Sequence, residues 1–236
     1  MILLLAGTTE ARKLSWLLND YGLEALASLA GETAEPEKLG IPTRVGGFGG
    51  AMAFRAFLDD NNVSAVVDAT HPFAVSITRR TARICEEKGV PYMQLERPMW
   101  EPEPDDEWWF VDDLAEAGKH IPEGAKVFAA VGRKAAEELD LPNRELYVRT
   151  VDPQEDTENI KFITGRPPFS QAEEVELFKS LGIDWIIAKN SGGATDGKLL
   201  AARELHLPVL MQSRPKAPVT QCRERVQDVL DWLLDL

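Results

Sequence analysis

Apolar runs of four to six residues recur along the chain, and each is followed by a longer stretch with helical spacing. The pattern opens with Ile2–Ala6, and Leu14, Leu17 and Leu18 then fall on one face of a predicted helix over Glu10–Asp20. Leu23–Leu29 reads as a second strand, Met52–Asn61 as a helix, and Ser64–Asp68 as a strand whose Ala65, Val66 and Val67 form an unbroken apolar run. Continuous runs of this kind suit parallel strands covered on both faces. A helix over Val75–Lys88 stops at Gly89, and Pro91–Leu95 is the next strand.

The rhythm breaks at ERPMWEPEPDDEWW, where prolines and acids crowd together, and this stretch reads as a linker or domain crossing. It then resumes. Strands are predicted over Lys126–Val131, Leu146–Arg149, Lys161–Thr164, Trp185–Ala188 and Val209–Gln212. Helices are predicted from Lys134 and over Gln171–Leu181, Lys198–Leu205 and Thr220–Leu234. Strand-helix alternation predicts an α/β chain of two Rossmann-like domains with parallel sheets, residues 1–98 and 99–236. An internal echo favours two modules over one sheet. VVDATHPF running on to LERP resembles WIIAKNSGG running on to QSRP, each ending in Arg-Pro (Arg97-Pro98 and Arg214-Pro215).

Composition narrows the function classes. The chain has 236 residues, 44% of them hydrophobic and 28% charged, which is the make-up of a folded soluble protein. No apolar run reaches the roughly 18–20 residues of a membrane span, and two cysteines far apart in the sequence are those expected of a reduced, cytoplasmic protein. Cys85 and Cys222 have no metal-ligand spacing and read as two reduced thiols. The net charge of −13 argues against nucleic acid but leaves room for an anionic small molecule held by a local basic cluster.

In parallel α/β sheets ligands collect at the carboxyl ends of strands, so the chemistry is sought in five loops: AGTTEA, DATHPFA, VGRK, TGRPPFS and AKNSGGATDGK. In the first, the amides of Thr8, Thr9 and Glu10 at a helix start could hold a pyrophosphate, with Gly7 making the turn; equally, a threonine could simply cap the helix. One glycine stands where a dinucleotide fingerprint has three. Glu32 lies near the position of a ribose-binding acid, and no arginine sits beside it to favour a 2′-phosphate. His71 follows Asp68 and Thr70 at a strand end, where its ring could fix the loop or do chemistry. Lys189, directly after WIIA, is costly there without an anionic partner, which could be a carboxylate of the protein or a ligand. Gly132, Arg133, Lys134, Arg166 and Arg97 take comparable strand-end positions and together suit several carboxylates. His120 and His206 are assigned no chemistry, and neither a metal site nor a nucleophile–base triad is evident.

AGTTEA, RVGGFGG, VVDATHPFA with LERPMW, VGRK, RPPFS and AKNSGG stand in the order and spacing of the precorrin-6A reductases of cobalamin biosynthesis, which the chain resembles over nearly its whole length. The resemblance implies reduction of one carbon–carbon double bond of precorrin-6A to give precorrin-6B, with NADPH, or else NADH, as cofactor. It implies two Rossmann-like domains with cofactor and macrocycle in the cleft between them. Gly7, Thr8 and Thr9 then become cofactor contacts, with Glu10, Asp68 and Thr70 beside them. Asn190, Ser191, Gly192 and Gly193 join Arg97, Gly132, Arg133, Lys134 and Arg166 as contacts to an anionic tetrapyrrole bearing acetate and propionate groups. Ala6 replaces a glycine common in the family's first loop, a small-for-small change. Hydride transfer needs chiefly positioning, which fits the absence of a triad. His71 and Lys189 are the candidate proton donors. Another small-molecule reductase, or a non-catalytic NAD(P)-sensing module, is the alternative; no Tyr-x-x-x-Lys pair supports the former, and the basic cluster exceeds what the latter needs.

Overall fold

A computed structural model describes residues 1–31, 36–216 and 221–236. The first segment runs β1 (Ile2–Leu5), α1 (Thr9–Asp20), β2 (Ala25–Leu29), β3 (Thr43–Val45), α2 (Ala51–Asp60), β4 (Ala65–Asp68), α3 (Val75–Lys88) and β5 (Tyr92–Leu95). The second runs β6 (Trp108–Val111), a 3-10 turn at Leu114–Glu116, α4 (Ala117–His120), β7 (Lys126–Ala130), α5 (Arg133–Glu137), β8 (Glu145–Thr150), β9 (Ile160–Thr164), α6 (Gln171–Leu181), β10 (Trp185–Lys189), α7 (Gly197–Glu204) and β11 (Val209–Gln212). β12 (Cys222–Arg223) and α8 (Val226–Leu234) close the chain.

These make two compact units. Met1–Pro98 with Pro215–Leu236 is the first, and Met99–Arg214 the second. The expected break after Pro98 is where the chain leaves the first unit, but the expectation that everything from 99 to 236 forms the second is corrected. β12 pairs with β5, Cys222 opposite Gln94 and Arg223 opposite Leu95. α8 buries Val229, Leu230 and Leu233 in the same core as Leu14 and Leu18 of α1. The last strand and helix thus cover apolar surface that the first segment leaves exposed.

Each unit holds one six-stranded sheet with every pairing parallel. The first has the order β3-β2-β1-β4-β5-β12, which is the order of doubly wound dinucleotide folds. The second reads β9-β8-β7-β10-β11-β6, the same arrangement with its sixth strand taken from the start of the segment. The two sequence echoes occupy corresponding places, β4-α3-β5 and β10-α7-β11.

The central strands are apolar on both faces because both faces are covered. Ile2 and Leu4 of β1 enter one core with α1 and α8, while Leu3 and Leu5 enter another with Phe54 and Leu58 of α2 and Ile84 of α3. In the second unit Val127 and Ala129 face Leu114, Ile121 and Ala136, and Phe128 faces Phe178 and Leu199. Helix ends follow local chemistry. Gly89 ends α3 and Gly182 ends α6 in the left-handed conformation, and Ser170 with Glu173 forms a capping box at the start of α6.

Candidate functional site

A doubly wound sheet parts its crossover connections where the strand order reverses, leaving a crevice at the carboxyl ends of the two strands concerned. In the first unit those strands are β1 and β4, and they are followed by AGTTEA and ATHPFA. Thr8 ties the two loops together. Its hydroxyl donates to the carbonyl of Ala69 at 2.8 Å and accepts from the amide of Ala11 at 3.2 Å, capping the twelve-residue α1. Thr8 is thus the helix cap, and the amides of Thr9 and Glu10 at the helix start are left without intrahelical acceptors. Gly7 has φ of 149°, and a Cβ placed on it would meet nothing within 4 Å. The backbone of the turn is open to a close-approaching group.

Asp68 ends β4 fully buried, with 1% of its surface exposed. One carboxylate oxygen accepts from the amide and hydroxyl of Thr70, at 3.1 and 2.7 Å, and the other from the Tyr92 hydroxyl at 3.0 Å. Burial, the Asp68 charge and that hydrogen bond push the Tyr92 phenol above its ordinary range, so it stays a donor. Burial, and then Asp68, also push the Cys85 thiol beneath up to about 12. Asp68 and Thr70 thus shape the turn that carries His71. The His71 Nδ1 accepts from the Phe73 amide at 3.3 Å, an arrangement that leaves Nε2 as the ring atom carrying the exchangeable proton. The side chains of Glu10 and Arg97, one residue expected beside the cofactor and the other at the substrate, meet each other. Arg97 Nη1 lies 2.8 Å from Glu10 Oε2 with both side chains largely buried.

In the second unit the order reverses between β7 and β10, and these strands lead into VGRK and NSGG. Gly132 takes φ of 81° and precedes the short α5. Arg133 is exposed and reaches Glu137 at 3.4 Å and Gln154 at 2.8 Å; Lys134 is exposed beside it. Arg166 is exposed on the loop after β9. Lys189 is half-buried as the last residue of β10, and Ser191 turns back to donate its amide to the Lys189 carbonyl at 2.7 Å. Gly192 and Gly193 both have positive φ, 66° and 80°.

Asn190, expected as a substrate contact, has its side chain engaged within the protein. It is buried, and its side-chain amide pairs with the backbone of Trp100, accepting from the amide at 2.9 Å and donating to the carbonyl at 3.0 Å. The Trp100 indole in turn donates to the Gly193 carbonyl at 2.9 Å. Lys198 of α7 places its ammonium 4.5 Å from the Trp100 ring centre and donates to the Thr195 carbonyl. Trp100 and Lys198 were not among the expected site residues. The one signal was the company of LERPMW among the motifs, because a backbone–amide pairing across ninety positions leaves no pattern in composition.

Residues 1–234 match the family described as "Precorrin-6x reductase CbiJ/CobK". The chain belongs to the precorrin-6x reductase family. A relative from Sinorhizobium sp. named precorrin-6A reductase is 41% identical, over 98% of this chain and 93% of that protein. One of the same name from Rhodobacter capsulatus is 38% identical over 99% and 96%. The solved structure of "CobK precorrin-6A reductase" superposes with a TM-score of 0.91 at 37% identity, covering 99% of this chain and 96% of that one. Membership makes the chain an oxidoreductase that needs a hydride donor. Among the described residues no helix is long and apolar enough to cross a membrane. Glu32, considered above for a ribose, lies outside the described residues.

Proposed function

We propose that the chain reduces one carbon–carbon double bond of precorrin-6A with NADPH, giving precorrin-6B. The reading is carried by the β1–β4 edge. A family member needs a place for its hydride donor, and here an open glycine turn, two helix-start amides without intrahelical acceptors and a Thr8–Ala69 closure coincide at a switch point. The nicotinamide cofactor supplies the hydride when bound. Gly7, Thr8 and Thr9, with the Glu10 amide, hold its phosphates. Asp68 and Thr70 act by fixing the turn after β4 rather than by contact, since the Asp68 carboxylate is occupied within the protein.

The tetrapyrrole is held in this reading by the strand-end cations. Arg133, Lys134 and Arg166 are exposed on loops of the second unit, and Lys189 ends its central strand. The amides of Ser191, Gly192 and Gly193 add neutral donors, with Gly132 opening the neighbouring loop. Arg97 acts through Glu10, orienting the first turn of α1. His71 at Nε2, or Lys189 at Nζ, delivers the proton to the carbon beside the hydride acceptor.

The test is anaerobic NADPH oxidation followed by absorbance. We expect loss of NADPH absorbance only when precorrin-6A is added, and slower single turnover in His71→Ala or Lys189→Ala. No substrate-dependent oxidation of either nicotinamide overturns the reductase reading. Wild-type single turnover in both variants removes the proton assignment alone.

A further inference from the structure

The first unit also carries a group placed to choose between the two nicotinamide dinucleotides. In a doubly wound fold the adenosine ribose lies at the carboxyl end of the second strand, where an acid accepts from the 2′-hydroxyl or an arginine meets a 2′-phosphate. Here the end of β2 reads Ser28-Leu29-Ala30-Gly31, with no acid among these residues. β3, absent from the sequence reading, brings Arg44 into register opposite Ser28. The arginine that the sequence lacks at the end of β2 is thus supplied by the neighbouring strand.

We propose that Arg44, with Ser28, recognises the 2′-phosphate of NADPH. This rests on the dinucleotide reading of the β1–β4 edge and adds to it the residue that sets cofactor preference. Arg44 Nη1 donates to the buried Ser28 hydroxyl at 2.6 Å and Nη2 to the Gly47 carbonyl at 3.1 Å. Its guanidinium lies over the Phe48 ring, 4.2 Å from the centre, and Phe48 is braced edge-on by Phe54 and Phe57. The fork is therefore aimed and stiffened before any ligand arrives, while part of its donor set stays available. Among the described residues no carboxylate pairs with it. Gly46 and Gly47 leave the adjoining loop uncovered, since a Cβ at either would meet nothing within 4 Å. A planar, permanently charged fork beside a hydroxyl suits a phosphate dianion far better than a ribose hydroxyl.

Calorimetric titration of the intact protein with NADP+ and NAD+, with competition by 2′,5′-ADP and 5′-AMP, tests this without turnover. Wild type is expected to bind NADP+ and 2′,5′-ADP more tightly than NAD+ and 5′-AMP. Arg44→Ala should weaken the two phosphorylated ligands by about 10- to 100-fold and the other two by less than about threefold. Arg44→Lys, which keeps the charge without the fork, should retain part of the preference. Ser28→Ala, which leaves the guanidinium over Phe48, should weaken NADP+ by a few fold. Equal weakening of all four ligands by Arg44→Ala, or unchanged NADP+ affinity, overturns the assignment. So does a wild type that binds NAD+ as tightly as NADP+. A wild type that binds neither dinucleotide overturns the cofactor reading beneath it as well.

Discussion

The two switch points share a strand order and differ in nearly everything built upon it. At β1–β4 a hydroxyl closes the loops, the helix that follows is twelve residues long, and the buried acid Asp68 is satisfied by neutral donors. At β7–β10 the helix is five residues long with no side-chain cap, and Asn190 after β10 grips Trp100, which precedes β6, rather than the loop after β7. Exposed Arg133 and Lys134 follow β7 at the second edge, whereas at the first the nearby Arg97 is neutralised by Glu10. A long capped helix presents fixed amides to a phosphate, while a short helix and glycine turns leave room for a larger, multiply charged ligand. In the proposed function, one arrangement of strands thus serves two kinds of anion recognition.

The comparison can be broken hardest through the second unit's sequestered ion pair. Arg149 of β8 meets Glu174 of α6 by two bonds, 2.6 and 2.7 Å, while its guanidinium lies 3.8 Å from the Phe169 ring centre. Glu174→Ala leaves that cation buried and should cost about 3–5 kcal/mol, read as an early loss of structure in urea unfolding. Asn190→Ala comes next, at about 2–3 kcal/mol, because both Trp100 backbone groups lose their partner. Its fluorescence should report a changed Trp100 environment while dinucleotide affinity stays near wild type. Gly7→Ala sharpens the contrast at the first edge. Its φ of 149° makes alanine strained by about 1 kcal/mol, and the new methyl enters the open turn. Thermal unfolding should shift by only a few degrees, yet NADP+ affinity should fall about tenfold or more in calorimetry. A large stability loss with unchanged affinity would place the phosphates elsewhere.

Central strands and long helices were legible because burial on both faces writes itself as continuous apolar sequence. Ile2–Leu5, Ala65–Asp68 and Gln171–Leu181 lie within a residue of expectation. Edge strands were not. β3 exposes two of its three residues, β12 is two residues long, and β6 begins in the last two residues of the stretch read as linker, with Trp109 and Phe110 exposed. The terminal helix begins at Val226, because Cys222 and Arg223, within the expected helix, extend instead along β5. At the site, Gly7, Thr8 and the turn after β4 were readable from local chemistry. The Glu10–Arg97 and Asn190–Trp100 pairings were not, since each joins residues about ninety positions apart. Arg44 was hidden for the same reason as β3, whose pairing with β2 alone gives it meaning.

The return of the chain to its first sheet also sets a timetable for synthesis. When β5 leaves the ribosome its outer edge has no neighbour, and the strand that will cover it, Cys222–Arg223, is made only after the whole of Met99–Arg214. The second unit, by contrast, has all six strands in one uninterrupted segment and can finish as soon as β11 emerges. The usual amino-to-carboxyl sequence of domain completion is therefore inverted. The half that begins first is finished last, and until then it carries an open edge of the kind on which nascent chains pair wrongly.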